Sequence, residues 1–285
     1  MKYIKLLILA LLLGSSAFSQ AQNQELTVVS FNVRYNSDGD GINIWDNRKE
    51  WLAHSMRFIK ADIIGGQEVT HSQLLDMQQL LPNYNYIGIG RNGGNEGEFS
   101  PIFYRKDKFD VVKHETFWLS ETPTQVASKG WDANLPRIVT WALFKDKVSG
   151  KTFYLFNTHF DHKGKEARLE SAKLISNKIN AIAKNEPVIV TGDFNSAPDS
   201  EPTKILLNNG FKDPYLTLDK DQVYGPEYSS NGWNVANKTS ENRIDYIYYK
   251  GNIKPLSLQI LDGQRGDKFI SDHFPIIAKL NIGSK

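Results

Sequence analysis

The sequence predicts an α/β fold in four layers: two packed, mixed β-sheets flanked by helices. Three observations carry that prediction. Strand-like apolar segments follow one another with helices between them in some places and hairpin-length connections in others, which implies mixed sheets covered by helices. About a dozen such segments are present, too many for one comfortable twisted sheet. No low-complexity linker, internal repeat or shift of composition divides the chain, so a single catalytic domain is expected over residues 22–285. In a sandwich of this kind, chemistry is expected at strand ends and in the loops that follow them.

Residues 1–21 read as a secretory signal peptide. Lys2 and Lys5 make a basic start, Leu6 to Leu13 is apolar but too short to span a bilayer, and small residues follow from Ser15 to Ala21. The expectation is an exported protein, periplasmic or secreted, and soluble. "ELTVVSFNVRY" then reads as a buried strand rich in β-branched residues, and "RKEWLAHSMRFIKA" has helical spacing. "DIIGGQEV" is a short strand, and "SQLLDMQQLL" a helix closed by Pro82. Strands are expected at "NYIGIG", "FSPIFYR", "FDVVKHETFWL", "RIVTWALFKD" and "TFYLFNTHF". A long helix from Glu166 to Lys184 leads into the strand "PVIVTGDFN", and "RIDYIYYK", "KPLSLQIL" and "FPIIAKLNI" complete the set.

The composition excludes some chemistry. The chain contains no cysteine, which removes lipidation through an N-terminal cysteine, disulfides, thiolate nucleophiles and cysteine-based zinc sites. A chain of this length buries enough apolar surface to fold without such staples. Lys plus Arg number 34 against 32 Asp plus Glu, and loss of Lys2 and Lys5 makes the counts equal. Proteins that hold long nucleic acids usually carry a clear basic excess, so near neutrality argues for a smaller partner.

Polar residues recur beside apolar segments, at or near strand ends. Asn32 interrupts "VVSFNV", Glu68 follows "DIIGGQ", and His159 ends "YLFNTH". Asp193 and Asn195 follow "VIVTG", Asp245 lies within "RIDYIYY", and Asp272 with His273 precedes the last strand. Burying such groups is costly unless they are paired or bind a metal. Each alone has a plain structural role, Glu68 solvating the next helix or Asp193 and Asn195 forming an Asx turn. Their repetition at one place in the architecture favours a shared site. Carboxylates and amide oxygens are hard ligands suited to Mg²⁺, Mn²⁺ or Ca²⁺, and histidines can bond phosphate oxygens or move protons. No nucleophile-elbow serine, GxxxxGK phosphate loop or HExxH zinc motif occurs, which leaves metal-assisted attack by water.

The motifs "SFNVRY", "GGQEV", "FYR", "NTHFDH", "TGDFNSAP", "RIDYIYY" and "SDHFP", in this order, resemble the endonuclease/exonuclease/phosphatase superfamily. That superfamily includes DNase I-like nucleases, abasic-site endonucleases, neutral sphingomyelinases and inositol polyphosphate phosphatases. The resemblance runs from Leu26 to Ile282 and is most specific in "GDFN" followed by the terminal "SDH". "FNVRYNSDGDGINIWDNRK" with "THFDHKGKEARLESA" looks most like an uncharacterised branch of exported bacterial members. The resemblance implies a DNase I-like sandwich with Glu68 as the main metal carboxylate, Asn32 beside it, and Asp272 contributing directly or through water. It implies that Asp193 orients or deprotonates the attacking water, Asn195 binds a phosphate oxygen, and His159 stabilises charge on the phosphate. His273 corresponds to the second catalytic histidine, with Asp245 fixing its tautomer and raising its basicity. Tyr104 corresponds to a phosphate-contacting tyrosine, against a plain role as an aromatic strand residue.

Arg34 and Arg168 are further candidates for gripping a phosphate bidentately, with structural ion pairs to Asp38 or Asp161 as the alternative. Asp161 and His162 are possible substrate contacts. The expected activity is divalent-metal-dependent hydrolysis of a phosphoester, a phosphodiester favoured, with Mg²⁺ ahead of Mn²⁺ or Ca²⁺ as cofactor. A small phosphate-ester substrate is favoured, while nucleic acid and phospholipid stay open; no obligate protein partner is expected. A nuclease would want a basic groove, and a sphingomyelinase-type enzyme an exposed apolar loop such as "VASKGWDANLP". A non-catalytic binding module on the same fold would be expected to lose one of these side chains, and all are present. A metal-free glycosidase built on Glu68 and Asp193 would leave two histidines without a role.

Overall fold

A computed structural model describes residues 25–234 and 243–283; the expected signal peptide lies outside them. Among the described residues, β1 (Glu25–Asn32), β2 (Ile63–Gln67), β3 (Tyr84–Ile87) and β4 (Ile102–Arg105) form half of one sheet. β5 (Phe109–Trp118), β6 (Ile138–Asp146), β7 (Thr152–His159), β8 (Val188–Asp193) and β10 (Asp245–Lys250) form the other, in the order β10-β8-β7-β6-β5. β9 (Val223–Tyr224), β11 (Ile253–Ile260) and β14 (Ile276–Ile282) complete the first, in the order β3-β4-β2-β1-β14-β11-β9. A small hairpin pairs β12 (Gln264–Arg265) with β13 (Lys268–Phe269).

Three apolar clusters separate four layers. Val28, Ile63 and Ile276 of the seven-stranded sheet meet Phe144, Leu155 and Ile189 of the five-stranded one. Val29, Phe31 and Ile64 pack on α1 (Trp45–Phe58) and α2 (His71–Leu80) through Leu52, Met56 and Leu74. Trp141, Phe156 and Tyr248 pack on α3 (Lys165–Ala183) and α4 (Glu201–Asn208) through Ile175, Ile179 and Leu206. β1 is buried from Leu26 to Asn32 without alternation because both of its faces are covered. The helices start where sequence chemistry allows. Thr70 and Gln73 form a capping box at α2, and Asp132, from the loop before β6, accepts the Glu166 and Ala167 N–H groups at α3.

A polar seam joins the sheets just beneath the strand ends. Asn157 Nδ2 donates to the carbonyls of Gly66 (2.7 Å) and Pro101 (2.9 Å), while its Oδ1 accepts from Gln67 Nε2 (2.7 Å) and Thr191 Oγ1 (2.9 Å). Gly65 has no room for a side chain there: a Cβ would lie 2.1 Å from Thr191 Oγ1.

The register explains why the polar residues meet. β1 and β2 run parallel, as do β7 and β8, so Asn32, Glu68, His159 and Asp193 all sit at C-terminal ends. β10 runs antiparallel to β8 with Asp245 opposite Asp193, and β14 runs antiparallel to β1 with Ile276 opposite Ser30. The starts of β10 and β14 therefore reach the same edge. Asp245 begins its strand rather than lying inside it. Two further helices, α4 and α5 (Pro214–Thr217), and the short β9, β12 and β13 add to the sequence expectation. No helix among the described residues is long and apolar enough to cross a membrane.

Candidate active site

Asn32 is fully buried, and its amide links the two sheets. Nδ2 donates to Glu68 Oε1 and to Asp193 Oδ2, each at 3.0 Å, and Oδ1 accepts the Arg34 N–H at 3.0 Å. The Tyr35 N–H donates to Glu68 Oε2 (3.2 Å), and the Asn195 N–H to Asp193 Oδ1 (2.9 Å). Arg34, Glu68 and Asn195 all have positive φ, at 60°, 59° and 46°. Such backbone costs on the order of 1–3 kcal/mol per residue and persists where surrounding contacts over-determine it, as they do around this one amide.

On the five-stranded side, His273 Nδ1 lies 2.8 Å from Asp245 Oδ2, which also accepts the Ser229 hydroxyl at 2.7 Å. That contact commits Nδ1 and leaves Nε2 for the cleft. Asp193 Oδ2 is 3.5 Å from His159 Nε2 and 3.9 Å from His273 Nδ1, so this carboxylate stands between the two rings. Asn195 Nδ2 donates to the Phe160 carbonyl (3.0 Å) and lies 3.1 Å from His159 Nε2; His159 Nδ1 is buried without a partner.

The electrostatics divide these groups. Burial, then the Asp245 charge, pushes Asp193 up to about 7. Burial acts to lower His273, but Asp245 and then Asp193 outweigh it, and the ring is raised well above the usual histidine range. His159 is lowered by burial first and by the Arg137 charge next. Burial raises Asp272, and the nearby Glu68 charge adds to the rise.

Glu68, His159, Asp193, Asn195, Asp272 and His273 line a cleft of about 570 Å³, with Asn32 and Asp245 buried behind them. Glu68 and Asp272 are its acidic lining; Arg137 and Arg91, the latter paired with Glu98, make a basic wall beside His162. Arg34 lines the cleft but is held bidentately by Asp40 (3.0 and 2.8 Å), with Asp272 at 3.8 Å. Arg48 lies underneath, 2% exposed, and donates to the carbonyls of Asn43, Val33 and Ile270 between the rings of Trp45 and Trp233. It thereby ties the loop that follows Asn32 to the loop before β14 that carries Asp272.

Residues 29–273 match the profile of the Endonuclease/Exonuclease/phosphatase family, with these side chains inside the matched span. The chain belongs to the endonuclease/exonuclease/phosphatase family. Its fold is the DNase I-like sandwich, and it is a hydrolase of the phosphoesterase and nuclease group that the family comprises. A Bacteroides vulgatus endonuclease/exonuclease/phosphatase superimposes with a TM-score of 0.87 at 39% identity, over 91% of this chain and 100% of that one. A Bacteroides thetaiotaomicron mannosyl-6-phosphatase superimposes with a TM-score of 0.85 at 40% identity, over 90% and 99%. Nocturnin of Drosophila melanogaster is 24% identical over 84% of this chain, which spans 42% of nocturnin.

Family enzymes typically depend on a divalent metal, and the residues present fit one. Glu68 and Asp272 are oxygen donors of the kind hard cations prefer, and the Asn32 amide, which turns Nδ2 to Glu68, keeps a further lone pair on Oδ1 beside the Arg34 N–H. The rise of Asp272 through burial and the Glu68 charge is a strain that a cation would relieve. Asp193, Asp245 and His273 also bring one donor atom each within 4.8 Å of one another, although the Asp245–His273 hydrogen bond already uses two of those atoms.

Two expected site residues are not brought to the cleft. Tyr104 pairs with Ile63 at the far end of β2 from Glu68 and packs its ring on Phe144, because β4 runs antiparallel to β2. Arg168, in the first turn of α3, donates Nη1 to the Asp161 carbonyl (2.9 Å) and does not line the cleft. Arg91, Arg137, Tyr35 and Ser229 were not anticipated. Arg137 could have been: it directly precedes an antiparallel strand, where Asp245 and His273 also stand.

Proposed function

We propose that this chain is a divalent-metal-dependent phosphoesterase that hydrolyses a small phosphorylated substrate, a phosphorylated sugar in class. The observation that carries the reading is the convergence, in one cleft, of oxygen ligands, a carboxylate between two imidazoles, and a basic wall. The near-neutral chain and the 40% identity to a mannosyl-6-phosphatase support a small substrate. That relative moves the preference from the diester expected above to a monoester.

In the reaction, the oxygen of water bonds to phosphorus, the ester P–O bond breaks, and the alcohol leaves with a proton, giving phosphate. Glu68, Asp272 and Asn32 would hold the metal, with Mg²⁺ favoured over Mn²⁺ or Ca²⁺. A bound cation supplies neutralisation of the phosphoryl oxygens. Asp193, fixed by the Asn32 amide and the Asn195 N–H, orients the attacking water and takes its proton. Asn195 and His159 face a phosphoryl oxygen, and His273, held by Asp245 through Nδ1, presents Nε2 to the leaving oxygen.

The test is a substrate panel with and without EDTA. It compares p-nitrophenyl phosphate, its bis-ester, mannose 6-phosphate, plasmid DNA, RNA and sphingomyelin. EDTA-sensitive hydrolysis of the small phosphates alone is expected. Turnover that survives EDTA would remove the metal, and faster cleavage of a polymer or of sphingomyelin would remove the small substrate.

A further inference from the structure

Arg137 precedes β6, whose first residues pair with the end of β7, and so reaches the cleft beside His159. It is 5% exposed. Its Nε donates to Asp161 Oδ2 (3.2 Å) and its Nη2 to His162 Nδ1 (2.9 Å), which must accept because a guanidinium only donates. Among the described residues Nη1 meets no acceptor. Asp161 is a divided partner, since the N–H groups of Leu135, Lys163 and Gly164 also donate to it. Arg91, held bidentately by Glu98, shares an adjoining recess with Arg137 and His159. Two guanidinium groups thus converge beside His159, whose ring is lowered by burial and by Arg137 itself.

We propose that Arg137 is a specificity-determining residue, taking a terminal phosphoryl oxygen so that the cleft selects a phosphate monoester over a diester. This rests on the phosphoesterase reading above and names the substrate class of that site. A monoester near neutral pH carries close to two negative charges over three terminal oxygens, its second pKa being about 6. A diester has two terminal oxygens and one charge. In a diester the third position holds an alkoxy group, which would press on Nη1 without accepting its hydrogen bond as a charged oxygen does, and leaving a nearly buried donor unsatisfied is costly. A planar fork with an open edge suits this discrimination better than a lysine.

The experiment measures kcat/KM of wild type, Arg137→Gln and Arg137→Lys on p-nitrophenyl phosphate and on its bis-ester. Binding of inorganic phosphate by calorimetry, with Mg²⁺ present, runs in parallel. Arg137→Gln is expected to lose roughly 10- to 100-fold on the monoester and on phosphate affinity, with the diester changed by less than about threefold. Arg137→Lys, which keeps the charge, should fall between the two and remain folded by circular dichroism; it decides the matter if the glutamine variant unfolds. An equal loss on both esters, or an unchanged phosphate affinity, overturns the proposal. A wild type that binds phosphate through Arg137 yet turns over neither ester would instead overturn the phosphoesterase reading while leaving the anion site standing.

Discussion

His159 has one ring nitrogen against Asn195 and Asp193 and the other against no acceptor, inside a wall that already holds Arg137 and Arg91. A further positive charge there is disfavoured, so the residue serves as a neutral imidazole and leaves the permanent charge to arginine. This has a thermodynamic consequence of definite sign. The unfolded chain protonates His159 near pH ~6.5, whereas the folded chain does so well below it. Between those values the unfolded state binds more protons, so this group makes stability fall as pH falls. Asp193, raised to about 7, contributes the opposite slope in the same window, because its stabilisation is lost as pH rises through that value. The His273 contribution is fully present below ~6.5 and is lost only as pH rises through its raised folded value. The difference between wild type and His159→Gln isolates the first group. Urea unfolding between about pH 5.5 and 7.5 should show the glutamine variant gaining on wild type as pH falls, by at most about 1.4 kcal/mol per unit. Parallel stability curves would mean that His159 accepts its proton in the fold.

At the scale of elements, strands are only as useful to the site as the joint between their sheets. Asn157 makes that joint with two donated and two accepted hydrogen bonds, all among buried groups. Asn157→Ala leaves the Gly66 and Pro101 carbonyls without their donor, and is expected to cost about 3 kcal/mol in chemical denaturation. Turnover should fall more than the melting temperature suggests, since Glu68 and Asp193 sit on opposite sheets; loss of stability at unchanged turnover would count against a positioning role. Asn157 stands between Phe156 and Thr158 in a strand that is otherwise apolar and aromatic, and its sequence context carries no sign of four partners. The long strands and α3 were legible because runs such as "VVSF", "VIV" and "YIYY" have no other stable place in a chain without disulfides. α4, α5 and β9 were not, since residues 197–224 are broken by Pro198, Pro202 and Pro214, and β12 and β13 are only two residues each. Tyr104 was misplaced for a different reason. Its motif was visible, but strand direction decides which end of the sheet a residue reaches, and β4 runs the other way from β2.

Over the whole molecule, formal neutrality conceals a concentration of charge. Glu68 and Asp272 line the same cleft as Arg91 and Arg137, so charges that cancel in composition are gathered at one site. The acidic half was legible because carboxylates at strand ends are conspicuous. The basic half was not, because Arg91 comes from the β3–β4 loop of one sheet and Arg137 from the loop before β6 of the other, and their meeting depends on how the two sheets pack. Half-buried carboxylates set in one cleft make the fold respond to any cation that binds among them. A ligand present at one hundred times its dissociation constant stabilises the native state by about 2.7 kcal/mol. Millimolar Mg²⁺ or Mn²⁺ added to EDTA-treated protein should therefore raise the melting temperature of wild type and of Arg137→Gln alike. Glu68→Gln should melt near the metal-free wild type and gain little from either ion, since it loses the charged ligand and relieves the repulsion on Asp272 at once. If Glu68→Gln kept the full shift and Asp193→Asn lost it, the metal would belong to the Asp193, Asp245 and His273 group. Glu68 would then be a structural partner of Asn32.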